Sequence, residues 1–170
     1  ENNLSKIWVK VRSADINKYQ QLGFNSEAKI YQYFKDDDAA IMSLFLKEKR
    51  KKSDNVKKKK KILDDLKKVN HKKYKNKLPT KYNIKICLKK DIMKLASLYD
   101  NVFETYPYPI NKPEYLKKMI DNDVLYAGVF FRNNIIAAAS ADMELDYKNA
   151  EMTDFATLSD FRGKGLAFSL

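Results

Sequence analysis

Apolar and polar positions alternate near the start of the chain. Ile7, Val9 and Val11 set against Trp8, Lys10 and Arg12 predict a strand with at least one buried face. Asp15 is placed to cap a short helix in which Ile16 and Tyr19 share a face, and Gly23 supplies a left-handed stop. Two apolar, aromatic-rich runs follow, Ala28 to Phe34 and Ala39 to Leu46, and Asp36-Asp37-Asp38 between them reads as a hairpin turn. Further on, Ile62, Leu66 and Val69 keep helical spacing, which predicts an amphipathic helix over Asn55 to Lys72. A strand at Asn83 to Leu88 comes after Pro79. Asp91 then opens a helix with apolar positions Ile92, Leu95, Ala96, Tyr99, Val102 and Phe103. Tyr106-Pro107-Tyr108-Pro109 breaks that helix, because a residue before proline is pushed out of the helical region. Asn111 and Pro113 start a second helix through Ile120, with Glu114 near its positive dipole end. Three strands follow, Val124 to Phe131, Ile135 to Leu145 and Glu151 to Leu158, with turns at 132–134 and 147–149.

Composition narrows the picture. At 170 residues, 44% hydrophobic and 12% aromatic, the chain can bury a core and is too apolar for wholesale disorder. The net charge of +12 suggests nucleic acid until it is mapped. Residues 47 to 81 hold 17 Lys or Arg and 4 Asp or Glu, so the rest of the chain is near neutral. Such a block between two folded pieces reads as a solvated linker. The rival reading is a binding protein in which this tract grips nucleic acid and the rest is a scaffold. A single cysteine, Cys87, and a single histidine, His71, exclude a disulfide framework and paired Cys or His zinc sites, so no metal is expected. His71, among lysines, reads as a surface residue. The longest apolar runs fall short of the ~18 residues of a spanning helix. With Glu1 first and no apolar signal segment, the expectation is a soluble, cytoplasmic protein whose true start is missing.

The chemistry concentrates at the C-terminal end. Arg162, Gly165 and Ala167 form an R-x-x-G-x-A pattern between a strand and a helix start. Glycines there let the backbone approach a phosphate, the first helical N–H groups point at it, and Arg162 and Lys164 add positive charge. This pattern resembles the pyrophosphate loop, [QR]-x-x-G-x-[GA], of the GNAT superfamily of acetyl-CoA-dependent N-acetyltransferases. The element order from Asn83 to Leu170 is also similar: strand, two helices, three strands, loop, helix. The strings Val102 to Pro107 and Asn149 to Leu158 resemble those of β-lysine N-acetyltransferases, which acetylate the terminal amine of β-lysine to give a zwitterionic osmolyte.

The resemblance implies an α+β fold, a mixed, mainly antiparallel sheet flanked by helices. It implies acetyl-CoA as co-substrate, its pantetheine arm pairing with Ala156, Thr157 and Leu158 and its pyrophosphate on Arg162, Gly163, Lys164, Gly165, Leu166 and Ala167. A small primary amine is the implied acceptor, the ε-amine of β-lysine or another amine, polyamine or protein. Such an amine must lose a proton before it attacks, and Glu151 or Asp154 would receive it. Regular strand alternation puts these two on opposite faces, and Glu151 is preferred. Glu104, Asp142 and Glu144 are candidates to hold ammonium groups, and Tyr106 or Tyr108 to donate to the acceptor's carboxylate.

Residues 81–170 thus read as the N-terminal half of a GNAT domain, breaking off within the family's third helix, with 47–80 the Lys-rich linker. Residues 1–46 read as a strand-helix-hairpin segment like the family's C-terminal half, with Tyr19-Gln20-Gln21-Leu22-Gly23-Phe24 similar to a Y-x-x-L-G-F helix end. Either that segment completes the sheet in permuted order or it ends a preceding GNAT-like half; the second is preferred. The bare fragment is expected to be inactive alone.

Overall fold

The computed structural model describes residues 4–69 and 78–170. It divides into two compact units. In the first, β1 (Lys6–Arg12), α1 (Ile16–Gln21), β2 (Asn25–Ile30) and β3 (Ala39–Phe45) form an antiparallel sheet in the order β1-β3-β2. Val11, Ala40 and Met42 make its small core, with Val9, Ile16, Tyr19 and Phe24 packed against them. Gly23 takes φ +87°, the left-handed stop that its position demands. Asp15 does not cap α1; it pairs with Lys18 at 2.7 Å. The run Ala28 to Phe34 is not all strand, because Gln32 and Lys35 turn the chain with positive φ. The Lys-rich helix α2 spans Val56–Lys67, shorter than its periodicity predicts, with every residue exposed. Lys68 and Val69 turn out of the helix, and residues 70–72 of the Asn55 to Lys72 reading, His71 included, lie outside the described residues.

The second unit holds β4 (Asn83–Ile86), α3 (Ile92–Val102), α4 (Pro113–Asp121), β5 (Val124–Phe131), β6 (Asn134–Glu144), β7 (Asn149–Thr157) and α5 (Leu166–Ser169). Its sheet runs β4-β5-β6-β7, with β4–β5 and β5–β6 antiparallel. Strands β1 to β3 pair among themselves in a sheet of their own.

Helices cover both faces of the four-stranded sheet. Leu95, Tyr99 and Leu116 of α3 and α4 pack on Val124, Tyr126 and Ala138 on one side. Leu166 of α5 packs with Val129, Ile136 and Ala137 on the other. Asp91 ends a short turn at Lys89–Asp91 and stands at the N-cap position of α3. Its buried carboxylate reaches back to accept the Leu88 N–H at 3.1 Å, satisfying a donor that the helix start leaves orphaned. Gly128 permits close packing at β4: a Cβ there would meet the Cys87 sulfur at 2.8 Å. No helix among the described residues is long and apolar enough to cross a membrane.

Candidate active site

Strand register builds the site. Tyr126 lies opposite Ser140, and Val124 opposite Asp142, so Ser140 and Asp142 share the helix-facing side of β6. Ser140 is 1% exposed, and a hydroxyl buried so deeply requires a partner. It donates to Asp154 Oδ2 at 2.7 Å, and the Tyr106 hydroxyl donates to Asp154 Oδ1 at 2.5 Å. Burial first, and then this bond to Asp154, pushes the Tyr106 phenol up to about 12, so it stays protonated at neutral pH. Among the described residues, no Lys or Arg pairs with Asp154.

Asp154 itself has φ +53°, a left-handed conformation inside a strand. That conformation costs a non-glycine residue roughly 1–2 kcal/mol, least for Asp and Asn. It also breaks the two-residue alternation of β7, so the opposite-face argument for Glu151 and Asp154 does not carry through this point. Glu151 is exposed, with no contact to Tyr106 or Ser140. Of the two carboxylates, the fold brings Asp154 into a hydrogen-bonded cluster.

Around it lies an aromatic wall. Phe103 and Tyr106 rings stand 4.6 Å apart, and Tyr108 stacks on Tyr115 at 6.5 Å. A cavity of about 260 Å³ lies under the Tyr106 to Pro109 turn, lined by Tyr99, Glu104, Tyr106, Tyr108 and Asn111 among others. The Tyr99 hydroxyl is fully buried and has no hydrogen-bond partner among the described residues. Burial and then the Asp154 charge raise its phenol far above the ordinary value. Asp142 and Glu144 are exposed. Ser140, Tyr99, Tyr115 and Tyr126 were not singled out from sequence. Only Ser140 carried a signal, as the polar residue ending the apolar run Ile135 to Ala139.

Beyond Asp154, β7 is the edge of its sheet among the described residues, which leave one side of its backbone unpaired. Ala156 is buried, and Leu158 still donates to the Ile136 carbonyl at 3.0 Å. The exposed Arg162 folds back, its Nε donating to the Thr157 carbonyl at 3.1 Å. Gly163 and Gly165 both have positive φ, +71° and +72°, and a Cβ on Gly163 would meet nothing within 4 Å. The amides of Gly163, Lys164 and Gly165 donate to no described acceptor. Lys164 is engaged locally, with the Asp160 carbonyl at 2.5 Å and the Phe161 ring at 4.8 Å. Leu166 anchors the loop in the core, while Ala167 is exposed. Free amides and an exposed guanidinium on a glycine-opened loop fit the pyrophosphate of acetyl-CoA.

No protein-family model matches the chain. It is 35% identical over 182 residues to the β-lysine N(6)-acetyltransferase of Methanosarcina mazei, covering 95% of this chain and 67% of that protein. Identity is also 35% over 167 residues to the enzyme of the same name from Methanococcus maripaludis, covering 98% and 61%. The N-acetyltransferase YodP of Bacillus subtilis is 27% identical over 166 residues, covering 98% and 60%. The chain therefore spans about three fifths of the length of two of these relatives. With such identity sustained along nearly its whole length, the chain belongs to the GNAT superfamily of acetyltransferases and is closely related to the β-lysine N(6)-acetyltransferases.

Proposed function

We propose that the protein carrying this chain transfers acetyl from acetyl-CoA to a small primary amine, the ε-amine of β-lysine, giving Nε-acetyl-β-lysine. The observation that carries this is the Asp154 carboxylate, oriented by Tyr106 and Ser140 and paired with no cation among the described residues. Acetyl-CoA, when bound, supplies the acetyl group as an activated thioester. The amides of Gly163 to Gly165 and the Arg162 guanidinium hold its pyrophosphate, and the free edge of β7 at Ala156 to Leu158 aligns its arm. Asp154 attracts the acceptor's ammonium and takes the proton that must leave before nitrogen can attack. Tyr106 and Ser140 fix the carboxylate's direction, which a freely rotating acid would lack. Asp154 serves as base in preference to Glu151, which no described residue orients.

The separate three-stranded sheet supports reading 1–46 as the end of a preceding GNAT-like half, 47–80 as a linker and 81–170 as the opening half of the catalytic domain. The test is an acetyl-transfer assay of the natural-length protein against β-lysine, lysine, polyamines and a protein lysine. β-Lysine is expected to give the highest kcat/KM. Preference for the protein amine would overturn the small-molecule reading.

A further inference from the structure

The cavity under the Tyr106 to Pro109 turn has a lining that a base at Asp154 does not explain. It holds about 260 Å³, and none of its lining residues is Lys, Arg or His. Its one charged lining residue is Glu104, which is exposed and has no hydrogen bond or ion pair among the described residues. Asn111 commits its amide nitrogen to Asp100 at 2.7 Å, so the carbonyl oxygen is the part it has left to offer. Rings supply the walls. Tyr99 stacks on Phe103 at 5.9 Å, and Phe103 lies 4.6 Å from Tyr106. A space walled by π faces and lined by oxygen acceptors, one of them a carboxylate, suits a cation and repels an anion.

A second observation points to a ligand in the same place. Tyr99 is fully buried, and its hydroxyl is the one buried side-chain polar atom among the described residues that lacks a partner. Folded chains rarely leave such an atom unpaired, because burial takes away its water and the loss must be made good. Tyr99 lines the cavity together with Glu104 and Tyr106. The Tyr106 hydroxyl in turn donates to Asp154, so one side chain joins the cavity wall to the base. A ligand with an amine at Asp154 therefore has the cavity one tyrosine side chain away.

We infer that this cavity is a subsite for the acceptor's second, non-reacting ammonium, with the Tyr99 hydroxyl oxygen and the Glu104 carboxylate as its hydrogen-bond acceptors. Burial gives these two groups different parts. Glu104, being exposed, supplies the opposite charge from the solvent side. Tyr99 can be satisfied only by a group that enters the cavity, and an ammonium arrives with three donors to share between them. The subsite selects diamines and diamino acids whose nitrogens are joined by a short aliphatic chain, as in β-lysine. A monoamine would leave the Tyr99 hydroxyl unpaired. This inference rests on the acetyl-transfer reading above.

The experiment compares β-lysine with 6-aminohexanoate, which has the same chain and carboxylate but lacks the second amine. The natural-length wild type, Tyr99→Phe and Glu104→Gln are assayed under the same conditions. Tyr99→Phe keeps the ring and removes only the hydroxyl, and Glu104→Gln keeps the shape and removes the charge. The wild type is expected to favour β-lysine by at least about 10-fold in kcat/KM, the usual size of one charge-assisted contact. Each variant should shrink that preference to within about 3-fold, through the β-lysine KM rather than kcat. Calorimetric titration of β-lysine into the CoA-saturated protein should show the same weakening. Ligand-free Tyr99→Phe should unfold in urea no earlier than the wild type, since the hydroxyl it loses has no partner in the fold. Earlier unfolding with an unchanged preference would assign that hydroxyl to the fold and overturn the inference. An unchanged preference in both variants overturns it too and leaves acetyl transfer standing. Failure of the wild type to acetylate either amine overturns the transfer reading and this inference together.

Discussion

Among the described residues, each unit buries one serine on an interior strand of its sheet and points it at a carboxylate. In the first unit, Ser43 is fully buried and donates to Glu27 at 2.5 Å. In the second, Ser140 is 1% exposed and donates to Asp154 at 2.7 Å. The difference is in what completes the carboxylate. Glu27 also receives the Lys6 ammonium, which together with Ser43 holds it below the ordinary carboxylate range. Among the described residues, Asp154 receives only a phenol and a hydroxyl, both neutral. Hydrogen bonding is equivalent in the two places, but charge is balanced in only one. A carboxylate that has its own lysine holds a fold together; one that lacks a cation is available to a positively charged ligand.

The comparison can be broken most directly by removing each carboxylate in the natural-length protein. Asp154→Asn should lower kcat/KM by about 100-fold or more, the usual worth of a positioned general base. Glu27→Gln should leave turnover within about 2-fold and reduce stability instead, since removing the acid strips Lys6 and Ser43 of their shared partner. Steady-state kinetics beside urea unfolding separates the two effects. Equal kinetic losses in both variants would abolish the distinction.

A second measurement sharpens it at the loop. Gly165 has φ +72° at the start of α5. Gly165→Val should raise the acetyl-CoA KM by about 10-fold, because a β-branched residue resists that conformation and blocks backbone approach to a phosphate. The acceptor KM should change far less. A matching rise in both would locate the defect in folding.

The smallest expected effect is on pH dependence, and it has opposite signs in the two units. Lys6 lowers Glu27, the Ser13 bond lowers Asp37, and Lys29 lowers Asp38. Their ordinary values are 4.5 for Glu and 3.8 for Asp, so the stability they contribute is present above those values. It fades as pH falls through the depressed ones. In the second unit, burial raises Cys87 from 9.0 to about 12 and Tyr106 from 10.0 to about 12. There the fold favours the protonated form, so stability is whole below the ordinary values and is lost as pH rises through about 12. Trp8, the only tryptophan, reports the acid limb by fluorescence, and tyrosinate absorbance reports the alkaline one. Alkaline loss tracked by Trp8 alone, with no matching tyrosinate signal, would contradict the assignment.

The sequence by itself determined the elements of the second unit, because their periodicities are local. Val124 to Phe131 forms the strand that its apolar run predicts, and Ile92, Leu95, Ala96 and Tyr99 form the buried stripe of α3. The Arg162 to Ala167 loop was legible for the same reason, since glycine positions and a strand-to-helix junction are properties of adjacent residues. Tertiary structure decided which carboxylate could be oriented. Asp154 meets Tyr106 across 48 residues and Ser140 across 14, contacts that no spacing rule encodes. Strand alternation favoured neither acid, and it failed where Asp154 adopts a left-handed backbone that a period-two pattern cannot register. Likewise the orphaned Tyr99 hydroxyl reads in sequence as one more apolar helix position. Its polarity matters only once packing has taken away its water.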